Sequence, residues 1–142
     1  MITVLQITPA YKPAYIYGGP TLSVANLCEE LQQSAFKIIV LTTTANGKTE
    51  LPVAPNVATT VANVEVHYCK RIAKDPIHLS PALLLKLISQ IRQHKRIGPN
   101  NCIVHIHSWW NTIAVMSCCI AMWYRVPVVL SPRGMLTTYS MN

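Results

Sequence analysis

The sequence predicts an α/β fold, a parallel sheet carrying helices on both faces. Three observations carry this. Short apolar runs rich in β-branched residues alternate with longer segments of helical period, in the order β-α-β-loop-β-α-β-α-β. Strands that alternate with helices build parallel sheets. The chain has 142 residues, one domain's worth. Of these, 51% are hydrophobic and 12% charged, where a typical soluble domain is about 25% charged. That balance excludes a disordered chain, which is poor in apolar and rich in charged residues. It also predicts that part of the surface does not face water alone.

Residues 2–8 are short, apolar and β-branched, a first strand. A loop over 9–19 carries Tyr11, Tyr15 and Tyr17. Pro20 then sits in the first turn of a helix, in which Leu22, Val24, Ala25, Leu27, Cys28 and Leu31 recur at helical spacing to about residue 34. Residues 36–43 form a second buried strand, and Gly47, Pro52 and Pro55 mark 45–60 as a loop. Val64, Val66 and Tyr68 alternate with Glu65 and His67, the pattern of a half-exposed strand. Ser80 caps a helix opened by Pro81. Its apolar stripe is Leu84, Leu87, Ile88 and Ile91, with Lys86, Gln90 and Gln93 opposite, and Gly98-Pro99 stops it after Lys95-Arg96. Residues 102–107 are a strand, 111–124 a mostly apolar helix, and 126–130 a last strand leading into Ser131-Pro132-Arg133-Gly134.

Twelve Lys and Arg against five Asp and Glu give a net charge of +7. Such a surplus suits anionic partners, whether phosphorylated substrates, nucleic acid or acidic lipid headgroups, or it simply keeps an apolar protein in solution. The apolar start, Met1-Ile2-Thr3-Val4-Leu5, has no positive residue before it, so it does not read as a secretory signal. The most apolar stretch, 113–130, is broken by Arg125 and Pro127 and reads as helix then strand, not as a membrane span. Cys28, Cys69, Cys102, Cys118 and Cys119 are odd in number and form no C-x-x-C pair. A disulfide framework is therefore not expected, and they read as buried thiols of a reducing cytoplasm.

Parallel sheets bind ligands beyond the carboxyl ends of their strands. Three segments leave strands there: 9–19, 107–111 and 131–136. Gly18-Gly19 before the first helix suits close approach of a phosphate to a helix N-terminus; the alternative is a plain flexible loop. A dinucleotide fingerprint does not fit, because the loop is long and the second strand ends in Thr42-Thr43-Thr44 rather than an acid. Gly47-Lys48-Thr49 looks like the end of a P-loop, but Thr42 stands where the first glycine is needed and prolines follow instead of a helix. His105 and His107 share one face of their strand. No nearby Asp or Glu completes a zinc site, so no metal is expected, and His107, nearer the strand end, is the candidate for a ligand. In Ser108-Trp109-Trp110-Asn111, aromatic faces beside polar groups suit sugar rings. A tryptophan equally suits the core, and Asn111 a helix cap. Arg133 can grip a phosphate or carboxylate, with Gly134 freeing the turn, or be an ordinary surface arginine. Lys70-Arg71, with Lys74, is a small basic cluster, either for an anionic group or as a solvated face.

Taken in this order, the segments resemble the N-terminal domain of a family-4 glycosyltransferase of the GT-B fold. The resemblance rests on Gly18-Gly19, on Ile103-Val104-His105-Ile106-His107-Ser108 with Trp109-Trp110-Asn111, and most on Val128-Val129-Leu130-Ser131-Pro132-Arg133-Gly134-Met135-Leu136. It implies a Rossmann-like domain and transfer of a sugar, with retention of configuration, from a nucleotide-sugar donor to a glycan or lipid-linked acceptor. It implies no metal and no other cofactor. Two domains face each other in this family: the N-terminal one takes the acceptor, and the C-terminal one takes the donor and carries an E-x7-E motif. Gly18 and Gly19 are implied to lie near the donor diphosphate, Arg133 and Gly134 near the transferred sugar, and His107, Trp109, Trp110 and Asn111 on the acceptor side. Lys70 and Arg71 are added there as anion contacts. Many members carry histidine where Arg133 stands, and an acid where Cys102 begins its strand. Glu29, Glu30, Glu50 and Glu65 make no E-x7-E pair. Residues 1–142 are thus expected to be the acceptor-side domain without the donor-binding one, and inactive alone. The resemblance further implies cell-surface polysaccharide synthesis in the cytoplasm, peripheral at the inner face of a membrane, and no nucleic acid. A non-enzymatic glycan- or nucleotide-binding module is the alternative.

Overall fold

A computed structural model describes residues 1–74, 77–98, 100–109 and 111–132. Along these the order is β1 (Ile2–Ile7), a 3-10 turn (Tyr15–Tyr17), α1 (Gly19–Gln32), β2 (Phe36–Thr43), β3 (Ala45–Asn46), β4 (Thr49–Glu50), β5 (Ala58–Val61), β6 (Val64–Cys69), α2 (Pro81–Ile97), β7 (Cys102–His107), α3 (Thr112–Trp123) and β8 (Val128–Ser131). The main sheet runs β5-β6-β2-β1-β7-β8. Every neighbouring pair in it is parallel except β5–β6.

The strands alternate between two apolar layers. Leu5, Ile7, Ile39, Leu41, Val104 and Ile106 face α2 and α3, joining Leu83, Leu87, Ile91, Ile113 and Ala121. Val4, Ile38, Val40, Val64, Val66 and Tyr68 face α1, joining Val24, Ala25 and Cys28. Helices therefore cover both faces, and the fold is the expected Rossmann-like α/β sheet. Sequence punctuation places the helix starts. Ser80 Oγ accepts the Leu83 N–H at 3.3 Å, with Pro81 in the first turn. Asn111 Oδ1 accepts the Ala114 N–H at 2.9 Å and opens α3.

Three expectations are corrected. The stretch expected as a loop over 45–60 holds the β3–β4 hairpin, with Gly47 (φ +69°) in its turn, and the start of β5. β6 is not half exposed: β5 and β2 flank it and His67 is buried, because a strand inside a sheet between two layers has no solvent side. On α2, Gln90 belongs to the buried face although polar, since it stands three residues after Leu87 and four before His94, both buried. Cys28, Cys69 and Cys102 are buried as expected, whereas Cys118 is half-buried and Cys119 exposed.

Candidate functional site

The chain leaves β1 toward β2 on one side and later returns to β7 on the other. That reversal opens a crevice at the carboxyl ends of β1 and β7, the place where such sheets bind ligands. A pocket of 230 Å³ lies there, lined by Thr8, Pro9 and Ala10 after β1, His107 and Ser108 at the end of β7, Tyr17, the first turn of α1 (Pro20, Thr21 and Val24), and His78.

α1 supplies the pocket's electrostatics. Gly18 precedes the helix at φ +70°, ψ −133°, and no side chain caps it. The first-turn N–H groups of a helix have no intrahelical partner and carry the positive end of its dipole. A Cβ built on Gly18 or Gly19 meets nothing within 4 Å, so the glycines leave open space beside the helix end. The expected pairing of Gly18-Gly19 with a helix start at the sheet's carboxyl edge is realised.

His105 and His107 share a face, with ring centroids 4.0 Å apart. His107 is buried, and its Nε2 stands 2.6 Å from Gln6 Oε1. An amide oxygen only accepts, so the His107 ring donates from Nε2. His105 instead shares a hydrogen bond with Ser131 Oγ at 2.8 Å, which ties β7 to β8. Among the described residues, no group of three or more His, Cys, Asp or Glu side chains is placed to hold a metal.

Arg71, expected as an anion contact or as part of a solvated face, is placed by the structure in neither position. Its side chain is buried and turned inward. Nε lies 3.0 Å from Glu50 Oε1 and Nη2 2.8 Å from Glu50 Oε2, while Nη2 also donates to the Gly47 and Thr49 carbonyls at 2.8 and 3.1 Å. This bidentate fork holds the β3–β4 hairpin against the end of β6. The hairpin in turn meets the pocket wall, because the Gly47 N–H donates to Tyr17 Oη at 2.8 Å. Lys70 is exposed next to Arg71, and its carbonyl accepts from Ser80 Oγ at 2.8 Å.

Asn111 spends its amide locally: Oδ1 caps α3 and Nδ2 donates to Ser108 Oγ at 2.9 Å. Ser108 adopts φ +66°, which bends the chain away from β7 at the pocket. Trp109 is half-buried and packs against the α2–α3 core rather than lining the pocket. Trp110, Arg133 and Gly134 lie outside the described residues. The pocket residues that the sequence did not announce are Thr8, Thr21 and His78. Thr8 ends a strand, which was a usable signal; His78 sits in an irregular loop with no pattern around it.

Residues 17–141 match the family described as Glycosyltransferase Family 4. No curated protein and no solved structure matches the chain. The match spans nearly the whole chain, both glycines, both pocket histidines and the segment after β8, and it agrees with a Rossmann-like sheet whose crevice lies at the end of α1: the chain belongs to glycosyltransferase family 4.

Proposed function

We propose that this domain is the acceptor-side half of a retaining glycosyltransferase and that it works with a second, donor-binding domain. One observation carries the reading: the switch-point pocket lies between the open N-terminus of α1 and His107. The diphosphate of a nucleotide sugar suits a helix terminus with free N–H groups and no side chain in front of it. The pocket's 230 Å³ is below the roughly 300–1,000 Å³ of a complete small-molecule site, so it suits part of a substrate in a cleft that another domain completes. His107, Trp110 and Lys70 are assigned to the acceptor side; Trp109, packed against the α2–α3 core, is not. Asn111 serves it by shaping the turn, and the family resemblance assigns Arg133 and Gly134 to the transferred sugar. This reading includes no metal.

A peripheral place at an anionic membrane surface belongs to this reading. No helix among the described residues is long and apolar enough to cross a membrane. The ends of α2 and α3 expose Arg92, Lys95, Arg96 and Arg125 beside Met122 and Trp123, and the sequence after Asp75 contains no acidic residue. Polysaccharide assembly on a lipid-linked acceptor suits such a surface.

Titration calorimetry of the chain with UDP, NAD and an oligosaccharide, with assays of sugar transfer and donor hydrolysis, tests the proposal. UDP is expected to bind and NAD not, with turnover only once a family donor domain is supplied. Robust turnover by the chain alone overturns the two-domain part. Tight NAD binding overturns the donor assignment. Oligosaccharide binding that falls in Trp110→Ala and ignores nucleotide points to a non-enzymatic module instead.

A further inference from the structure

Arg71 reaches past the hairpin it ties. Its Nη1 stands 3.3 Å from Nδ1 of His78, and His78 lines the switch-point pocket. A guanidinium only donates hydrogen bonds. Nδ1 of His78 therefore accepts, and the ring's own proton lies on Nε2. Glu50 fixes the guanidinium from the other side through its two carboxylate oxygens.

The rest of the loop is built to hold that ring. His78 is 7% exposed, and its ring meets Tyr17 edge to face with centroids 6.2 Å apart. Its backbone is at φ +53° and its N–H donates to the Lys74 carbonyl at 3.1 Å. The preceding carbonyl, of Ile77, accepts from both N and Oγ1 of Thr112 at 3.2 and 2.9 Å, which ties the loop to the start of α3. A left-handed backbone, a buried imidazole and one guanidinium N–H on a ring nitrogen together over-determine its orientation.

We infer that Arg71 is a positioning residue that sets His78 as a neutral Nε2–H donor in the pocket wall, where it hydrogen-bonds a phosphate oxygen of the bound substrate. This rests on the reading above that a diphosphate occupies the pocket. Arg71 thereby returns to the binding site as the group behind His78 rather than as a direct contact.

Long-range ¹H–¹⁵N correlation spectra of the chain, with His78 assigned by its loss in His78→Gln, test the first half. The ring is expected to be neutral with its proton on Nε2. Arg71→Lys, which keeps the charge but loses the fork, is expected to give a mixture of tautomers. A proton on Nδ1 or a charged ring in the unsubstituted chain overturns the inference. Titration with UDP and with inorganic pyrophosphate tests the second half. His78→Phe is expected to weaken both by roughly tenfold, about the worth of one hydrogen bond to a charged group. His78→Gln, whose amide keeps an N–H near the Nε2 position, stays within about threefold on the same grounds. Melting temperatures of the two variants separate binding from folding. If both probes bind equally well to His78→Phe and the unsubstituted chain, the inference falls while the diphosphate reading stands. If neither probe binds the unsubstituted chain, both fall.

Discussion

Gly18 and Gly19 adjoin each other yet do different work. Gly18 holds φ +70° with ψ −133°, a region open essentially to glycine. Gly18→Ala is therefore expected to destabilise the fold by about 1–3 kcal/mol, although the added methyl meets open space, and thermal melting reads it. Gly19 has helical geometry and open space around its Cβ position. Gly19→Ala should leave melting nearly unchanged and weaken UDP binding, because the methyl would stand where the proposed diphosphate approaches; unchanged binding would move the diphosphate elsewhere. The buried thiols set a second residue-scale expectation. Burial raises Cys69 and Cys102 from 9.0 to about 11, against a lowering by Lys86 and Lys95 respectively. Burial likewise raises Tyr68 from 10.0 to about 12. Each group ionises more easily unfolded than folded, so stability is full below pH 9 and falls as pH rises through about 11 and 12. Calorimetric melts between pH 8 and 12 are expected to show that decline. In native protein at neutral pH an alkylating reagent should modify the exposed Cys119 well before Cys69 and Cys102.

At the scale of elements, α2 and α3 start differently from α1. Ser80 and Asn111 each cap their helix with a side-chain oxygen, whereas α1 has no such cap. The uncapped start is the one to which the proposed diphosphate is assigned. Both caps also anchor the chain elsewhere, Ser80 to the Lys70 carbonyl and Asn111 to Ser108. Ser80→Ala and Asn111→Ala are each expected to cost about 1–2 kcal/mol, a drop of a few degrees in melting temperature. Ser80 should be the costlier because it is fully buried, and its loss strands the Lys70 carbonyl. Equal stability of either variant would show that helix entry is set by packing alone.

For the whole molecule, charge and apolar exposure coincide at one end of the α2–α3 layer. Trp123 is 84% exposed and Met122 68%, near Arg92, Lys95 and Arg96. Arg92 stacks over Tyr124, with its guanidinium carbon 5.8 Å from the ring centroid, and donates to Tyr124 Oη at 3.2 Å, so part of this cationic group is already ordered. Cosedimentation with vesicles is expected to show binding to phosphatidylglycerol that weakens with salt, and little to phosphatidylcholine. Arg92→Glu with Arg96→Glu should reduce it severalfold and Trp123→Ala less. Salt-independent binding, or none, removes the membrane from the proposed function.

Much of this architecture is legible in the sequence because its causes are local. Pro20, Pro81, Ser80 and Asn111 mark helix starts by their own stereochemistry, and the mostly apolar, β-branched runs of β1 and β2 announce strands covered on both faces. The glycine pair before α1 and the two histidines on one face of β7 follow from chain geometry alone, so they too were visible. Pairing partners are not local. The antiparallel β5, the burial of His67 and the hairpin at Gly47 depend on which strand lies beside which. Arg71 shows the limit most plainly: in sequence it is half of a basic pair, yet Glu50, 21 residues away, draws it inside and turns it toward His78. Composition and periodicity determined an α/β sheet with a ligand edge. Only tertiary structure decided that β1 and β7 would be neighbours and that Glu50 of the hairpin would draw Arg71 inward, against the imidazole of its own loop, at that edge. The physical reason is that a buried charge is stable only beside its partner, and partners distant in sequence meet only when the sheet is assembled.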